Sequence, residues 1–301
     1  MGATFELCRE VLCKFYARAE DVDAFYVALC AVHGVLSVTA TMGNVAMIFA
    51  LQKASSIPTN SRILMQSLAL TDLSVGVLGH PLYLLVISGI RQNYGCEHIH
   101  VTLMVFFILA ASLVVVSLQM VAFIGVDRFL AITLHLRYNE LVTTKRVVTL
   151  VASVWIFSLS VVFIAVFYYF QVGEIVILAG GYVSVLLLGF IYTKVYLVAR
   201  RHRASINSQD QATSSLNLAR NKNLAIKTLY VFVVFELCVL PYFITLTVLL
   251  ISGPSVVLQV TTQLATVLMM LNSSLNPIVF GWKMTEIRQI VKNKVKTLFC
   301  C

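Results

Sequence analysis

The chain has 301 residues, 59% of them apolar and only 12% charged. Soluble domains carry roughly 25% charged residues, so a water-exposed globular surface is excluded. The formal charge of +9 would point to nucleic acid only in a soluble chain; here no nucleic acid is expected, and the placement of the charges decides their meaning.

Residues 1–24 are polar and charged with no apolar core, so no cleavable signal peptide is expected and the segment reads as extracellular. Stretches 25–52, 99–126, 147–173 and 237–282 lack Asp, Glu, Lys and Arg altogether. A bilayer core of ~30 Å takes about 20 residues at helical rise, so the first three hold one helix each. The last is too long for one and folds back at Ser252-Gly253-Pro254-Ser255. Stretch 63–90 carries one acid, Asp72, and 175–193 carries none; Gln171-Val172-Gly173-Glu174 reads as a very short hairpin between two spans. Seven helices are expected, near 25–52, 61–90, 99–132, 146–170, 174–203, 221–251 and 256–281, with a Ser-, Asn- and Gln-rich linker over 204–219.

From Trp282 to Phe299 the pattern changes. Trp282, Ile287, Ile290, Val291, Val295 and Leu298 recur at helical spacing, with Lys283, Arg288, Lys292, Lys294 and Lys296 between them. That describes an amphipathic helix on anionic membrane lipids. Cys300 and Cys301 follow it, open to two readings, thioacylation or unmodified thiols. The expected fold class is an all-α membrane protein, a seven-transmembrane helix bundle with a C-terminal amphipathic surface helix. Its segments are 1–24, 25–281 and 282–301.

Seven spans place the termini on opposite sides. One side holds Arg9, Lys14, Arg18 and Arg91; the other holds the remaining 18 of 22 basic residues. The positive-inside rule makes the second side cytoplasmic and the N-terminus external. No internal repeat of the kind that builds transporters is present.

Ionisable groups at membrane depth are functional candidates. Asp72 and Glu236 lie mid-span, with Asn44, Ser117, Asn272, Ser273 and Asn276 at depths matching Asp72. Such oxygens make either a chamber for water and a monovalent cation or a helix-packing network; both stay open. Glu236 either faces the bundle or is protonated and bonded to backbone. Asp127 and Arg128 end the third span, Arg128 either neutralised locally or snorkelling to the interface. Pro241 and Pro277 bend the sixth and seventh spans.

Together these residues resemble the rhodopsin-like (class A) G-protein-coupled receptors. The resemblance rests on Gly43-Asn44, Leu68-Ala69-Leu70-Thr71-Asp72, Asp127-Arg128-Phe129, Trp155, Tyr192 with Ala199-Arg200-Arg201, Phe235-Glu236-Leu237-Cys238-Val239-Leu240-Pro241, and Asn272-Ser273-Ser274-Leu275-Asn276-Pro277-Ile278-Val279-Phe280. It implies an allosteric sodium pocket at Asp72, Ser117, Asn272, Ser273 and Asn276. It also implies G-protein coupling through Asp127, Arg128, Tyr192, Arg200, Arg201, Lys222 and Lys227, and an activation switch at Phe235, Val239, Pro241, Asn276, Pro277 and Phe280. Departures are Val239 for the usual aromatic, Phe280 for the usual tyrosine, and Asn221 where an acid often stands. They imply a softer closed-state clamp. Ser184 replaces the usual fifth-span proline, and Leu103 the usual third-span cysteine; a disulfide can still join Cys96 to Cys8 or Cys13 on the oxidising side, and the pairing stays open. This layout is nearest the melanocortin, cannabinoid, lysophospholipid and adenosine group.

Family-equivalent ligand positions are Ala110, Ala111, Val114, Val176, Gly180, Val239, Tyr242, Phe243, Thr266 and Met270. Ala110 in place of an aspartate disfavours amines, and Met270 in place of a lysine disfavours retinal. The resemblance implies a plasma-membrane receptor, not an enzyme, coupling an extracellular ligand to a heterotrimeric G protein by outward movement of the sixth helix. The ligand is expected to be hydrophobic or lipid-like, ahead of a peptide or nucleoside. No cofactor is expected beyond the sodium ion. The alternative is a multi-span transporter or channel. His98 and His100 lie beside Cys96 without further ligands for a metal.

Overall fold

Backbone buried in hydrocarbon must satisfy its own hydrogen bonds, and each apolar stretch does so as a helix. The computed structural model describes residues 23–92, 94–134, 137–168, 170–205, 212–253 and 255–299. Among them are seven helices long and apolar enough to cross a membrane. The first span is Asp23–Lys53, the second Thr59–Arg91 and the third Cys96–Thr133. The fourth is Thr144–Tyr168, the fifth Phe170–Ser205, the sixth Ala212–Ser252 and the seventh Val256–Lys283. A separate helix, Thr285–Phe299, follows.

Three expected boundaries move. Gln171–Glu174 is not a hairpin but lies in the first turns of the fifth span, which starts at Phe170. Half of the expected linker is helix, because the sixth span begins at Ala212; polar helix formers extend a span into water once its apolar part has nucleated it. Trp282 belongs to the last turn of the seventh span, 69% exposed, and not to the surface helix. The corner lies at Met284, whose backbone is extended. The break after the sixth span falls where expected: Gly253 takes φ +74°, and the Ser255 hydroxyl accepts from the Leu258 N–H at 3.2 Å.

Prolines shape the bundle interior. Pro81 lacks an N–H and crowds the carbonyl four residues back; the second span absorbs this with a π-helical segment, Val75–Gly79. There the first span comes close: Ser37 donates to the Gly76 carbonyl at 2.8 Å, and a Cβ on Gly76 would stand 2.8 Å from the Thr41 backbone nitrogen. Pro277 frees the Ser273 carbonyl, and the Asn44 amide donates to it at 2.9 Å. Gly43 makes room for the same proline, since a Cβ there would meet Pro277 Cγ at 3.0 Å. The Trp155 indole N–H donates to Ser67 at 3.0 Å, tying the fourth span to the second. Large apolar side chains such as Val35, Met42, Leu186 and Ile251 cover the outside, the surface a lipid solvent requires.

The surface helix buries Met284 and Ile287 against the bundle. Glu286 accepts hydrogen bonds from the Ser55 and Ser56 backbone N–H groups at 2.9 and 3.2 Å. The Lys294 ammonium lies 5.6 Å from the Phe49 ring centroid.

Candidate functional site

The inner end of the third span carries a buried ionic cradle. Arg128 is 0% exposed, so it does not snorkel. Its Nη2 pairs with Asp127 Oδ2 and contacts the Ser61 hydroxyl, while Nε donates to Asp127 Oδ2 at 3.1 Å. Ser61 donates to the same Oδ2 at 2.7 Å, and the Tyr138 hydroxyl donates to Oδ1. Tyr138 sits on the short helix Tyr138–Leu141; burial and the Asp127 charge both push its phenol well above the ordinary range. Arg128 Nη1 has no partner among the described residues.

Next to this cradle, Tyr192 is buried and donates to the Val121 carbonyl at 3.0 Å, its ring stacked 4.5 Å from Phe232. Phe280 is buried, and Arg200 is exposed. The side chains of Arg201, Lys222 and Lys227, and Cys300 and Cys301, lie outside the described residues.

At mid-bundle the expected polar residues converge. Asn276 donates to Asp72 Oδ2 at 2.7 Å. Ser117 donates to Thr71, not to Asp72, at 3.0 Å. Ser117, Asn272 and Ser273 line a cavity of about 30 Å³ together with Phe235, Val239 and Met270, room for one water-sized occupant. Among the described residues, four buried acceptor oxygens of this group lack partners: Asn44 Oδ1, Asp72 Oδ1, Asn272 Oδ1 and Asn276 Oδ1. A set made of oxygens fits a hard cation. Glu236 lines neither cavity, and its buried Oε1 has no hydrogen-bond partner among the described residues.

Above lies a second cavity of about 250 Å³. Ala110, Ala111, Val114, Val176, Gly180, Tyr242, Phe243 and Thr266 line it, and Val239 and Met270 line the smaller one below. Among the described residues no charged side chain lines either. Gly181 lets Phe243 lie against the fifth span, since a Cβ there would stand 2.5 Å from the ring.

A sequence model described as 7 transmembrane receptor (rhodopsin family) matches residues 43–175 and 170–280. The chain belongs to the rhodopsin family of seven-transmembrane receptors. Melanocortin receptor 5 of Ovis aries is 29% identical over 187 residues, covering 60% of this chain and 57% of the relative. Melanocortin receptor 4 of Danio rerio is 25% identical over 273 residues, 88% and 82% of the two chains. Adenosine receptor A2b of Homo sapiens is 34% identical over 143 residues, 47% and 40%. The chain spans less than two thirds of the length of the melanocortin receptor 5 relative it matches.

In this rhodopsin-family receptor Cys96 is disulfide-bonded, so its sulfur is closed to metal; its partner lies outside the described residues. Ser61, Tyr138 and Gln119 were not singled out from the sequence. Ser61 sits in the first turn of the second span, and its spacing from Asp127 carries no periodic signal. Tyr138 lies beyond the spans, where hydropathy is silent. Gln119 is a lone amide in an apolar run, a polar group at membrane depth that could have been flagged.

Proposed function

We propose that this receptor, in the plasma membrane with its N-terminus outside and C-terminus in the cytoplasm, passes an extracellular ligand signal to a heterotrimeric G protein. The observation that carries the reading is Arg128, fully buried under Asp127, Ser61 and Tyr138 at the inner end of a bundle that also holds a chamber of about 250 Å³. An outward swing of the sixth span about Pro241 uncovers Arg128, frees it from Asp127 and lets it meet Tyr192. Arg200, Arg201, Lys222 and Lys227 then add basic surface for the G protein. The ligand drives this by binding the open form more tightly than the closed one. Phe235, Val239 and Met270, which line the smaller cavity, relay the change to Asn276, Pro277 and Phe280.

Asp72, Ser117, Asn272, Ser273 and Asn276 would hold a sodium ion, which supplies positive charge against Asp72 and favours the closed form. The surface helix and acylated Cys300 and Cys301 anchor the inner end to membrane lipids. The uncharged, apolar chamber supports a hydrophobic or lipid-like ligand, since a buried unpaired charge costs several kcal/mol. A peptide or nucleoside is the second reading, because relatives are named for melanocortin and adenosine. The test is GTP-analogue uptake by G proteins with the receptor in lipid discs, challenged in turn with lipids, peptides, nucleosides and amines. Uptake should follow an uncharged lipid and be lost in Arg128→Ala. Stimulation unchanged by that substitution would overturn the coupling mechanism, and a response confined to a charged ligand would overturn the ligand reading.

A further inference from the structure

The larger cavity is not confined to the ligand positions that face the sixth and seventh spans. On the third span its lining runs from Phe107 through Ala111 and Val115 to Gln119. These positions recur every four residues on one helix face and cover about 18 Å of axis. Val161 and Val162 of the fourth span and Ser184 of the fifth complete this extension. Val176 and Gly180 both line the cavity and are exposed, Val176 at 52%. A Cβ on Gly180 would meet nothing within 4 Å. Exposed residues that also line the chamber mark a mouth, here beside the fifth span.

Polar groups around this channel are satisfied within the protein. Ser184 donates to the Gly180 carbonyl at 2.7 Å, and Thr266 donates to the Thr262 carbonyl at 2.9 Å. Gln119 is the exception, with no hydrogen-bond partner among the described residues. Gln119 is half-buried, so its amide is open to a partner that enters the cavity. Its side chain both donates and accepts, which matches a hydroxyl, itself donor and acceptor. A carboxylate or an ammonium would arrive without a counter-charge.

The geometry points to a lipid-facing subsite between the third, fourth and fifth spans, entered from the bilayer beside Gly180, in which Gln119 binds the hydroxyl of an uncharged single-chain lipid. The chain of that lipid lies along Val115, Ala111 and Phe107. This rests on the receptor reading above and names the class of ligand the same chamber takes.

A long-chain fatty alcohol bearing a photoreactive diazirine is the probe, used on the full chain in lipid discs. Labelling should map to the third and fifth spans. Excess unlabelled alcohol should compete with it; the matching alkane and fatty acid should not. Gln119→Leu should weaken competition by the alcohol about fivefold to tenfold, the worth of one hydrogen bond, and Gln119→Asn should restore part of it. Gly180→Leu, whose side chain enters open space, should slow labelling at the mouth while leaving the cradle of Arg128 intact. Labelling spread evenly over lipid-facing residues, or equal competition by alkane and alcohol, would overturn the subsite. If another ligand drives nucleotide exchange while the alcohol fails to label, the subsite falls and the receptor reading stands. Specific labelling without nucleotide exchange by any ligand upholds the subsite and removes the receptor reading.

Discussion

Arg128 is held by a single carboxylate, and its second terminal nitrogen has no partner among the described residues. In Asp127→Asn the buried guanidinium loses its counter-charge, a change worth about 3–5 kcal/mol at a buried pair. The closed form bears that loss, while an open form exposes the group to water. Since each ~1.4 kcal/mol is tenfold in a two-state ratio, ligand-free nucleotide exchange should rise at least severalfold. Asn221→Glu should lower it by offering Arg128 a second acid; exchange assays on both variants check the pair. Glycines give a contrast in stability. Gly76→Ala drives a methyl against Thr41 backbone, which cannot yield, whereas Gly34→Ala meets nothing within 4 Å. Thermal unfolding should show a loss of roughly 1–3 kcal/mol for the first and no loss for the second.

The surface helix is pinned to the loop after the first span by one carboxylate. Desolvation acts to raise the Glu286 carboxyl, but hydrogen bonds from Ser56 and Ser55 outweigh it and hold the group below its ordinary 4.5. A lowered folded-state value stabilises the contact above the unfolded value, and the gain is lost as pH falls through the folded one. Amide protection across 285–299, taken relative to intrinsic exchange at the same pH, should therefore stay high at neutral pH and fall in acid below about 4.5. Glu286→Gln should show low protection at both, with little pH dependence. This helix was legible from its alternation of apolar and basic residues. Its start was not, because the corner at Met284 is a backbone event that leaves hydropathy unchanged. The same holds for the π-helical segment in the second span, since the way the helix absorbs Pro81 leaves hydropathy unchanged.

Across the whole molecule, two chambers and a buried cradle lie in line along the bundle, and a closed-to-open transition would alter all three together. Replacing sodium with a large organic cation should raise agonist affinity if the ion favours the closed form, by the ratio of its affinities for the two forms. Asp72→Asn should abolish that dependence; competition binding with and without sodium reads both. A cation effect that persists in Asp72→Asn would place the ion elsewhere.

The sequence by itself determined the number of spans, the break at Gly253 and the depth of Asp72, Arg128 and their polar companions. Those properties follow from transfer of single residues into hydrocarbon and from backbone that must bond within its own helix, which are local along the chain. Only the tertiary structure decided that Ser61 and Tyr138 close over Asp127, that Ser117 pairs with Thr71, that Glu236 lies away from both chambers, and that the larger chamber reaches sideways to Gln119. These depend on how each helix is rotated and how closely it approaches its neighbours. In a lipid solvent small residues and shape set that approach, and neither is written in the hydropathy of any one segment.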